Sequence, residues 1–473
     1  MPDGDLTSGL AVPRIVVSAP WKSSGKTMVS LGMTAALCQR GLRVAPFKKG
    51  PDFIDPMWLT AAAGRACRNL DFFIMGESGV YRSFVDHVHD ADIALIEGNL
   101  GLFDGQDLVH GSDCTAALAA VLGAPVVLVV NCRGLARSLA PLLMGQLAFP
   151  GGGQIAGIIL NNVASSRQEN RLLRVVQQHC AVPVLGVVPR ADGMMVDERH
   201  LGLVPVAEQE ASGNHVAHIA SQVAAHVDLD RVLELARSAG PLPPPPPEPH
   251  APVLVVDLVP DVRTTPLTVA YAAGAAFHFY YPDNLEALRR QGVRFVPFDP
   301  LRDDRFPEVQ GLYIGGGFPE MFMDALFARN EILQQMHHAI MAGLPTYAEC
   351  GGLMLLAERL YWQSRHVPLC GVLPIEVEMK EKPQGYGYME IESTGVLPWP
   401  PLGSRVRCHE FHYSRVRALS DDVRYAYRVR RGSGVDGVHD GLVYRKVLAS
   451  YAHIHAVGAP GWANFLARFW GLE

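Results

Sequence analysis

Ile15-Val16-Val17-Ser18-Ala19-Pro20-Trp21-Lys22-Ser23-Ser24-Gly25-Lys26-Thr27 decides how the N-terminal half of this chain folds. An apolar strand runs into a loop of small residues, Gly-Lys-Thr closes the loop, and a helical pattern begins near Met28. This is the context in which such a sequence forms a phosphate loop. Backbone N–H groups around Ser24 and Gly25 would cradle phosphates, Lys26 would reach the terminal ones, and Thr27 would offer its hydroxyl to Mg²⁺. Pro20 stands where the motif has its first glycine, and Gly-Lys-Thr alone is common. Its position between this strand and this helix carries the reading.

Working outward, short runs rich in Val, Ile and Leu alternate with helical patterns: Val44 to Phe47, Ile93 to Glu97, Val126 to Asn131, Ile155 to Asn161 and Val184 to Val188 as strands, Arg171 to His179 as a helix. Continuous apolar runs of this length fit strands buried on both faces, so a parallel sheet covered by helices is expected. Glu97 ends one strand, where a carboxylate can reach a nucleotide-bound cation, although an ordinary strand-end cap competes with that reading. In Phe47-Lys48-Lys49-Gly50-Pro51-Asp52-Phe53-Ile54-Asp55-Pro56, two lysines and two carboxylates crowd a turn at another strand end. Alone this would be a solvated loop; beside a phosphate loop, Asp52 and Asp55 become candidates for metal and substrate contacts. Asp104 has the same standing.

Ser238-Ala-Gly-Pro-Leu-Pro-Pro-Pro-Pro-Pro-Glu-Pro-His250 favours extended polyproline II, which makes residues 238–251 the expected linker between units 1–237 and 252–473. A second α/β unit is expected beyond it: strands Val253 to Asp257, Arg294 to Phe298 and Gly311 to Ile314, helices Asn284 to Gln291 and Glu331 to Ala342, and a strand entering Tyr347-Ala348-Glu349-Cys350-Gly351-Gly352. Residues from about 372 to 427 read as strands and turns. Strand, sharp turn and helix around Cys350 mark a nucleophile, and the helix N-terminus is expected to favour thiolate. A buried cysteine beside a turn is the competing reading.

Composition narrows the function. A hydrophobic share of 49% against 19% charged residues fits a soluble globular chain, and 473 residues imply about two to four domains. The net charge of -6 without a basic stripe argues against nucleic acid as a partner. Eight scattered cysteines without a C-x-x-C pair argue against a zinc knuckle or disulfide framework and for a reducing cytoplasm. Asp3 and Asp5 speak against a signal peptide, and Ala116 to Val130 is too short and too broken to span a bilayer.

Lys48 to Pro56, Glu97-Gly98-Asn99-Leu100-Gly101-Leu102-Phe103-Asp104-Gly105, Tyr281-Pro282-Asp283-Asn284, Gly315-Gly316-Gly317-Phe318-Pro319-Glu320, Tyr347 to Gly352, His409-Glu410-Phe411-His412-Tyr413 and Ser450-Tyr451-Ala452-His453 together resemble the cobyrinic acid a,c-diamide synthase family. The resemblance spans nearly the whole chain. It implies an ATP-binding domain similar in fold to dethiobiotin synthetase, joined to a class I-like glutamine amidotransferase domain on its C-terminal side. It implies that glutamine and ATP are substrates, that Mg²⁺ accompanies ATP, and that a tetrapyrrole carboxylate is amidated; a homodimer is left open as the assembly. Cys350 would attack the glutamine amide to form a thioester, with His453 raising its nucleophilicity and His455 as the rival. No acidic residue closely follows His453, so a Cys–His dyad is expected. Gly316, Gly317 and Gly351 would hold the oxyanion, and Asn161 matches an adenine-contacting position. Asp52, Asp55, Glu97 and Asp104 would serve the metal, ATP and the carboxylate substrate. Ammonia must be kept from water, so the two domains should close on each other. Trp21-Lys22 and Asn99-Leu100 depart from the expected pattern, which keeps the sirohaem-amidating and nickel-sirohydrochlorin-amidating branches open. A partner-binding P-loop switch ATPase and a cobyric acid synthase are the competing readings.

Overall fold

The computed structural model describes residues 11–150, 155–190, 198–199, 202–203, 205–208, 212–246 and 266–471. The expected strand Val253 to Asp257 and the last part of the proline segment lie outside these. The chain divides into two compact units, Met1–Phe72 with Gly76–Pro249, and Phe73–Met75 with His250–Glu473.

The first unit is built on a seven-stranded sheet. Its strands are β1 (Arg14–Ser18), β2 (Val44–Lys49), β3 (Arg68–Leu70), β4 (Ile93–Glu97), β5 (Val126–Asn131), β6 (Ile155–Val163) and β7 (Val184–Pro189), in the order β3-β2-β4-β1-β5-β6-β7. Every pairing is parallel. β1, β2 and β4 are buried throughout, as their continuous apolar runs require when helices cover both faces. From β1 the chain runs to β2 and β3 on one side and, after β4, crosses to β5, β6 and β7 on the other, and ligands bind at such a switch point, outside the carboxyl ends of the strands. Register does the rest: Val17 lies opposite Glu97, and Lys48 opposite Glu97, so the phosphate loop, the Lys48 ammonium and the Glu97 carboxylate are neighbours at one edge.

The proline segment begins as part of this unit. The buried Arg14 guanidinium donates to the carbonyls of Leu122 (2.5 Å), Gly240 (2.9 Å), Ala239 and Pro241 (both 3.2 Å), and the Tyr81 hydroxyl donates to Pro243 O at 2.7 Å. Carbonyls that have no ladder partner in this segment are thereby satisfied.

The second unit has a nine-stranded sheet in the order Val293–Phe298, Leu267–Ala272, Gly311–Ile314, Thr346–Glu349, Val447–Ser450, His439–Tyr444, Arg424–Arg431, Gly385–Ser393, Arg405–His412. The first five are parallel and the remainder antiparallel. A four-stranded sheet joins Arg365–Pro368, Ala357–Trp362, Leu373–Met379 and Ser414–Leu419. Alternation splits the core in two: Leu312, Ile314, Ala348 and Ala449 pack on one face, Tyr313, Tyr347 and Leu448 on the other with Trp462 and Trp470. The parallel strands Gly311–Ile314, Thr346–Glu349 and Val447–Ser450 are neighbours, so the segments leaving their carboxyl ends meet at one edge. Those segments are Gly315 to Gly317, Cys350, and Tyr451 to His453.

Candidate functional site

In the first unit, Gly25 adopts a left-handed conformation (φ 89°) and starts helix α1 (Lys26–Gln39) with no side-chain cap, which leaves the helix-start N–H groups for an anion. Only glycine fits there, because a Cβ would lie 2.1 Å from Asn161 Nδ2. Asn161 donates to Ser24 O at 3.0 Å, and Ser24 Oγ donates to Trp21 O at 2.8 Å, so the loop is held from beneath. The observed partner of Asn161, a residue matched by resemblance to an adenine contact, is thus the loop backbone.

Lys26 Nζ donates to Leu100 O at 2.6 Å, a carbonyl that a φ of 51° at Leu100 turns toward it. Burial, then the neighbouring Lys48 ammonium, lowers the Lys26 pKa to about 8. Thr27 Oγ1 donates to Glu97 Oε1 at 2.7 Å and to Asp55 Oδ2 at 3.3 Å, while Lys48 Nζ lies 2.5 Å from Asp55 and 2.9 Å from Glu97. Burial opposes charge on Lys48, and Asp55 and Glu97 outweigh it and hold the ammonium charged. Burial likewise opposes charge on Asp55, but Lys48 keeps that carboxyl below its ordinary value; Glu97 and Asp52 are pushed up, chiefly by burial. Asp52 caps Ile54 N (3.0 Å), and Asp104 accepts from Gly101 N (2.9 Å) to fix its turn.

Mg²⁺ bound with ATP needs one or two carboxylates, a hydroxyl and phosphate oxygens. Thr27 and Glu97 fit: Glu97 Oε2 is buried and has no hydrogen-bond partner among the described residues, an acceptor left free beside the loop. No cluster of three or more His, Cys, Asp or Glu that could hold a metal alone occurs among the described residues.

In the second unit, Cys350 has φ 48° and ψ −102°, a strained elbow between strand Thr346–Glu349 and the helix Gly351–Leu356. Its N–H donates to Ser450 O at 2.7 Å, tying the elbow to the strand that leads to His453. A Cβ on Gly351 would meet Gly317 N and O at 3.0 Å, and one on Gly316 would meet His453 Cε1 at 2.8 Å, so the Gly316-Gly317 turn lies against both the elbow and the histidine. Gly317 itself (φ 156°) has room for no side chain, with Ala276 O at 2.1 Å from where its Cβ would sit.

The expected thiolate is not what the surroundings favour. Burial, then the Glu320 carboxylate, pushes the Cys350 thiol far up, against the opposing Gly351 N–H. The helix leaving the elbow is six residues long, too short for its dipole to outweigh desolvation. A base must therefore take the thiol proton as sulfur attacks.

His453 and His455 separate cleanly. His455 packs at a tilt against Tyr281 (4.6 Å between ring centroids), 3.7 Å from Asp283 Oδ2, and its Nδ1 accepts from Val457 N at 3.3 Å. His453 lies beside the glycine turn, paired through its backbone with His409 (His453 N to His409 O, 2.7 Å). Three residues that sequence reasoning did not assign hold this loop. Asn284 donates to Ile454 O at 2.6 Å and accepts from Ala456 N at 2.7 Å, which gives the Tyr-Pro-Asp-Asn motif a clamping role. Asp440 accepts from Tyr451 N (3.0 Å) and Ala452 N (2.9 Å). Glu349, directly before the nucleophile, brings Oε2 to 3.4 Å from His453 Nδ1. A carboxylate is thus beside the histidine after all; a search downstream of His453 could not find it.

Residues 15–203 match a model described as the CobQ/CobB/MinD/ParA nucleotide binding domain, and residues 268–460 one described as the CobB/CobQ-like glutamine amidotransferase domain. A nucleotide-binding domain joined to a glutamine amidotransferase domain is therefore the class. "Cobyrinate a,c-diamide synthase" of Magnetococcus marinus is 57% identical, with 97% of each chain covered. The enzyme of that name from Methanosarcina barkeri is 38% identical over 97% of this chain and 96% of its own. "Hydrogenobyrinate a,c-diamide synthase" of Streptomyces coelicolor is 40% identical over 97% of each. The chain belongs to the cobyrinate a,c-diamide synthase family.

Proposed function

We propose that this protein uses ATP and the amide of glutamine to amidate the a and c acetate carboxylates of a cobyrinate-type tetrapyrrole. The observation that carries this reading is the end-to-end likeness, 57% identity over 97% of both chains, to a protein named for that reaction. The two sites supply the two halves of its chemistry. Residues 1–237 serve ATP and the tetrapyrrole, 252–473 serve glutamine, and 238–251, whose first residues are held on the first unit by Arg14 and Tyr81, connect them.

A carboxylate resists ammonia because its leaving group would be oxide; phosphorylation supplies a good one. The substrate oxygen attacks the γ-phosphorus of ATP and ADP departs. Ammonia then adds to the acyl carbon, the C–O bond to phosphate breaks, and the surplus proton is lost from nitrogen. Ser24, Gly25, Lys26 and Thr27 hold the phosphates; the Lys48 ammonium sits between Asp55 and Glu97 beside them and opposes the burial that disfavours their charge; Asn161 braces the loop and lies toward the nucleotide. Asp52, Asp55 and Asp104 orient the carboxylate being activated. Thr27, Glu97 and Asp52 would hold Mg²⁺, which supplies positive charge to the phosphates. In the other unit Cys350 Sγ attacks the glutamine amide carbon, His453 takes the thiol proton and returns it to the leaving nitrogen, and N–H groups of Gly316, Gly317 and Gly351 receive the oxyanion. Water then hydrolyses the thioester to glutamate.

Eight unpaired cysteines suit a reducing cytoplasm, and no helix among the described residues is long and apolar enough to cross a membrane. Whether two copies of the chain assemble is a question that light scattering reads directly. The test of function is Cys350→Ser. It should lose glutamine-driven amidation and keep the ammonia-driven, ATP-dependent reaction; loss of both, or of neither, would count against the division of labour.

A further inference from the structure

A thiol held in its neutral form depends wholly on the base that takes its proton, and that base must present a lone pair to sulfur and survive as a cation beside it. The surroundings of His453 address both needs. Successive residues of the strand Thr346–Glu349 point to opposite faces, so Glu349 leaves the sheet on the side of Tyr347 while Cys350 turns at the elbow. The Tyr347 hydroxyl donates to Glu349 Oε1 at 2.7 Å, and Oε2 lies 3.4 Å from His453 Nδ1. Both side chains of the pair are buried, each only 2% exposed. A carboxylate fixed there sets the tautomer with the proton on Nδ1, leaving Nε2 as the acceptor.

We propose that Glu349, the residue immediately before the nucleophile, is the positioning residue of His453, giving a Cys350–His453–Glu349 relay whose acid comes from ahead of the cysteine rather than from beyond the histidine. This rests on Cys350 and His453 being the glutamine-hydrolysing pair. During attack, the Sγ–H proton passes to Nε2 as the S–C bond forms, and the imidazolium delivers it to the departing amide nitrogen. Glu349 gains and loses no proton; it balances the charge while the proton is on the ring. His409, bridged to His453, has its pKa lowered to about 3 by burial and then by His453, so it stays neutral. Glu320, Glu349 and Asp440 all raise the Cys350 thiol, and the Tyr313 and Tyr347 hydroxyls, pushed up by burial and then by Glu349, and that of Tyr427, pushed up by burial and then by Asp440, remain protonated.

The test is the pH profile of glutamine hydrolysis, together with that of Cys350 alkylation by iodoacetamide, in wild type, Glu349→Gln and Tyr347→Phe. Glu349→Gln keeps the side-chain volume and removes the charge. Its kcat/KM should fall by up to about 10⁴-fold, the size of loss seen when a catalytic histidine loses its orienting carboxylate. Its acid limb should move down by about one pH unit or more, because the imidazolium loses its counter-charge. Tyr347→Phe keeps the charge and frees one oxygen, so it should slow hydrolysis about tenfold with the limb in place. A Glu349→Gln protein with wild-type rate, or with a lower rate and an unmoved limb, overturns the proposal. Should that variant not accumulate, a wild-type rate in Tyr347→Phe does so. Failure of the underlying reading looks different: wild type itself would then release no ammonia from glutamine.

Discussion

Gly317→Ala is the substitution whose cost can be worked most directly from the geometry. The added Cβ would sit 2.1 Å from Ala276 O and 2.9 Å from Ala276 C and Phe277 Cα, all backbone, at a φ of 156°. A carbon normally approaches a carbonyl oxygen no closer than about 3.3 Å, so the turn must retreat by about 1 Å. The turn lies against Gly351 and His453, and a displacement of about 1 Å in a reacting geometry costs about 10²-fold in rate. If the displaced N–H is also an oxyanion donor, the loss reaches about 10³-fold, or about 4 kcal/mol of transition-state stabilisation. Backbone strain lowers folding stability by about 1–3 kcal/mol, a fall of several degrees in Tm. Gly343→Ala is the matched control: its φ is 108°, yet nothing lies within 4 Å of the new Cβ. It should lose stability and keep its rate. The assay is glutaminase turnover with calorimetry on both proteins. Wild-type turnover in Gly317→Ala, or an equal loss in Gly343→Ala, would refute the placement of the glycine turn at the reaction centre.

Other perturbations separate the two units. Glu97→Gln removes the charge that Thr27 and Lys48 share, and should lower ammonia-driven amidation by about 10²-fold or more while glutamine hydrolysis without tetrapyrrole persists; steady-state assays of each activity read this. Asn284→Ala deletes both hydrogen bonds that clamp the loop after His453, and should cost about 2–3 kcal/mol in denaturant unfolding together with a fall in glutaminase activity. Lys26 titrates near 8 in the folded protein against 10.5 as a free side chain, so between those values the unfolded chain holds the extra proton and stability from this group rises with pH. The Tm difference between wild type and Lys26→Met should therefore shift in favour of wild type across that window, and ATP, whose phosphates restore the proton, should flatten the shift.

The parts legible in the sequence were those carried by contiguous residues. The phosphate loop, strand-end Glu97 and the cysteine elbow each sit within a dozen or so positions, so their local patterns sufficed. Pairings set by register did not show: Lys48 meets Glu97 only because β2 lies beside β4, and the burial of Lys48 in the crowded Lys48 to Asp55 turn follows from that pairing and not from the turn's own composition. The His453 carboxylate was sought where chain proximity suggested, whereas strand adjacency brings it from position 349. Desolvation of the buried Cys350 sulfur opposes the thiolate that the helix dipole alone would favour, a balance that local sequence does not show. Leu267–Ala272, with its Thr, Ala and Tyr, lacked the aliphatic run that marks a central strand, yet it pairs on both sides.

The central claim is that one chain couples glutamine hydrolysis at Cys350 to ATP-dependent amidation of a cobyrinate-type tetrapyrrole. Mass spectrometry of products formed from ATP, Mg²⁺, ¹⁵N-amide glutamine and a panel of cobyrinic acid, sirohydrochlorin and sirohaem tests it most directly. The account predicts cobyrinic acid carrying two ¹⁵N amides and no product without ATP. Label entering only sirohaem or sirohydrochlorin, or glutamine hydrolysis with no amide on any macrocycle, would contradict it.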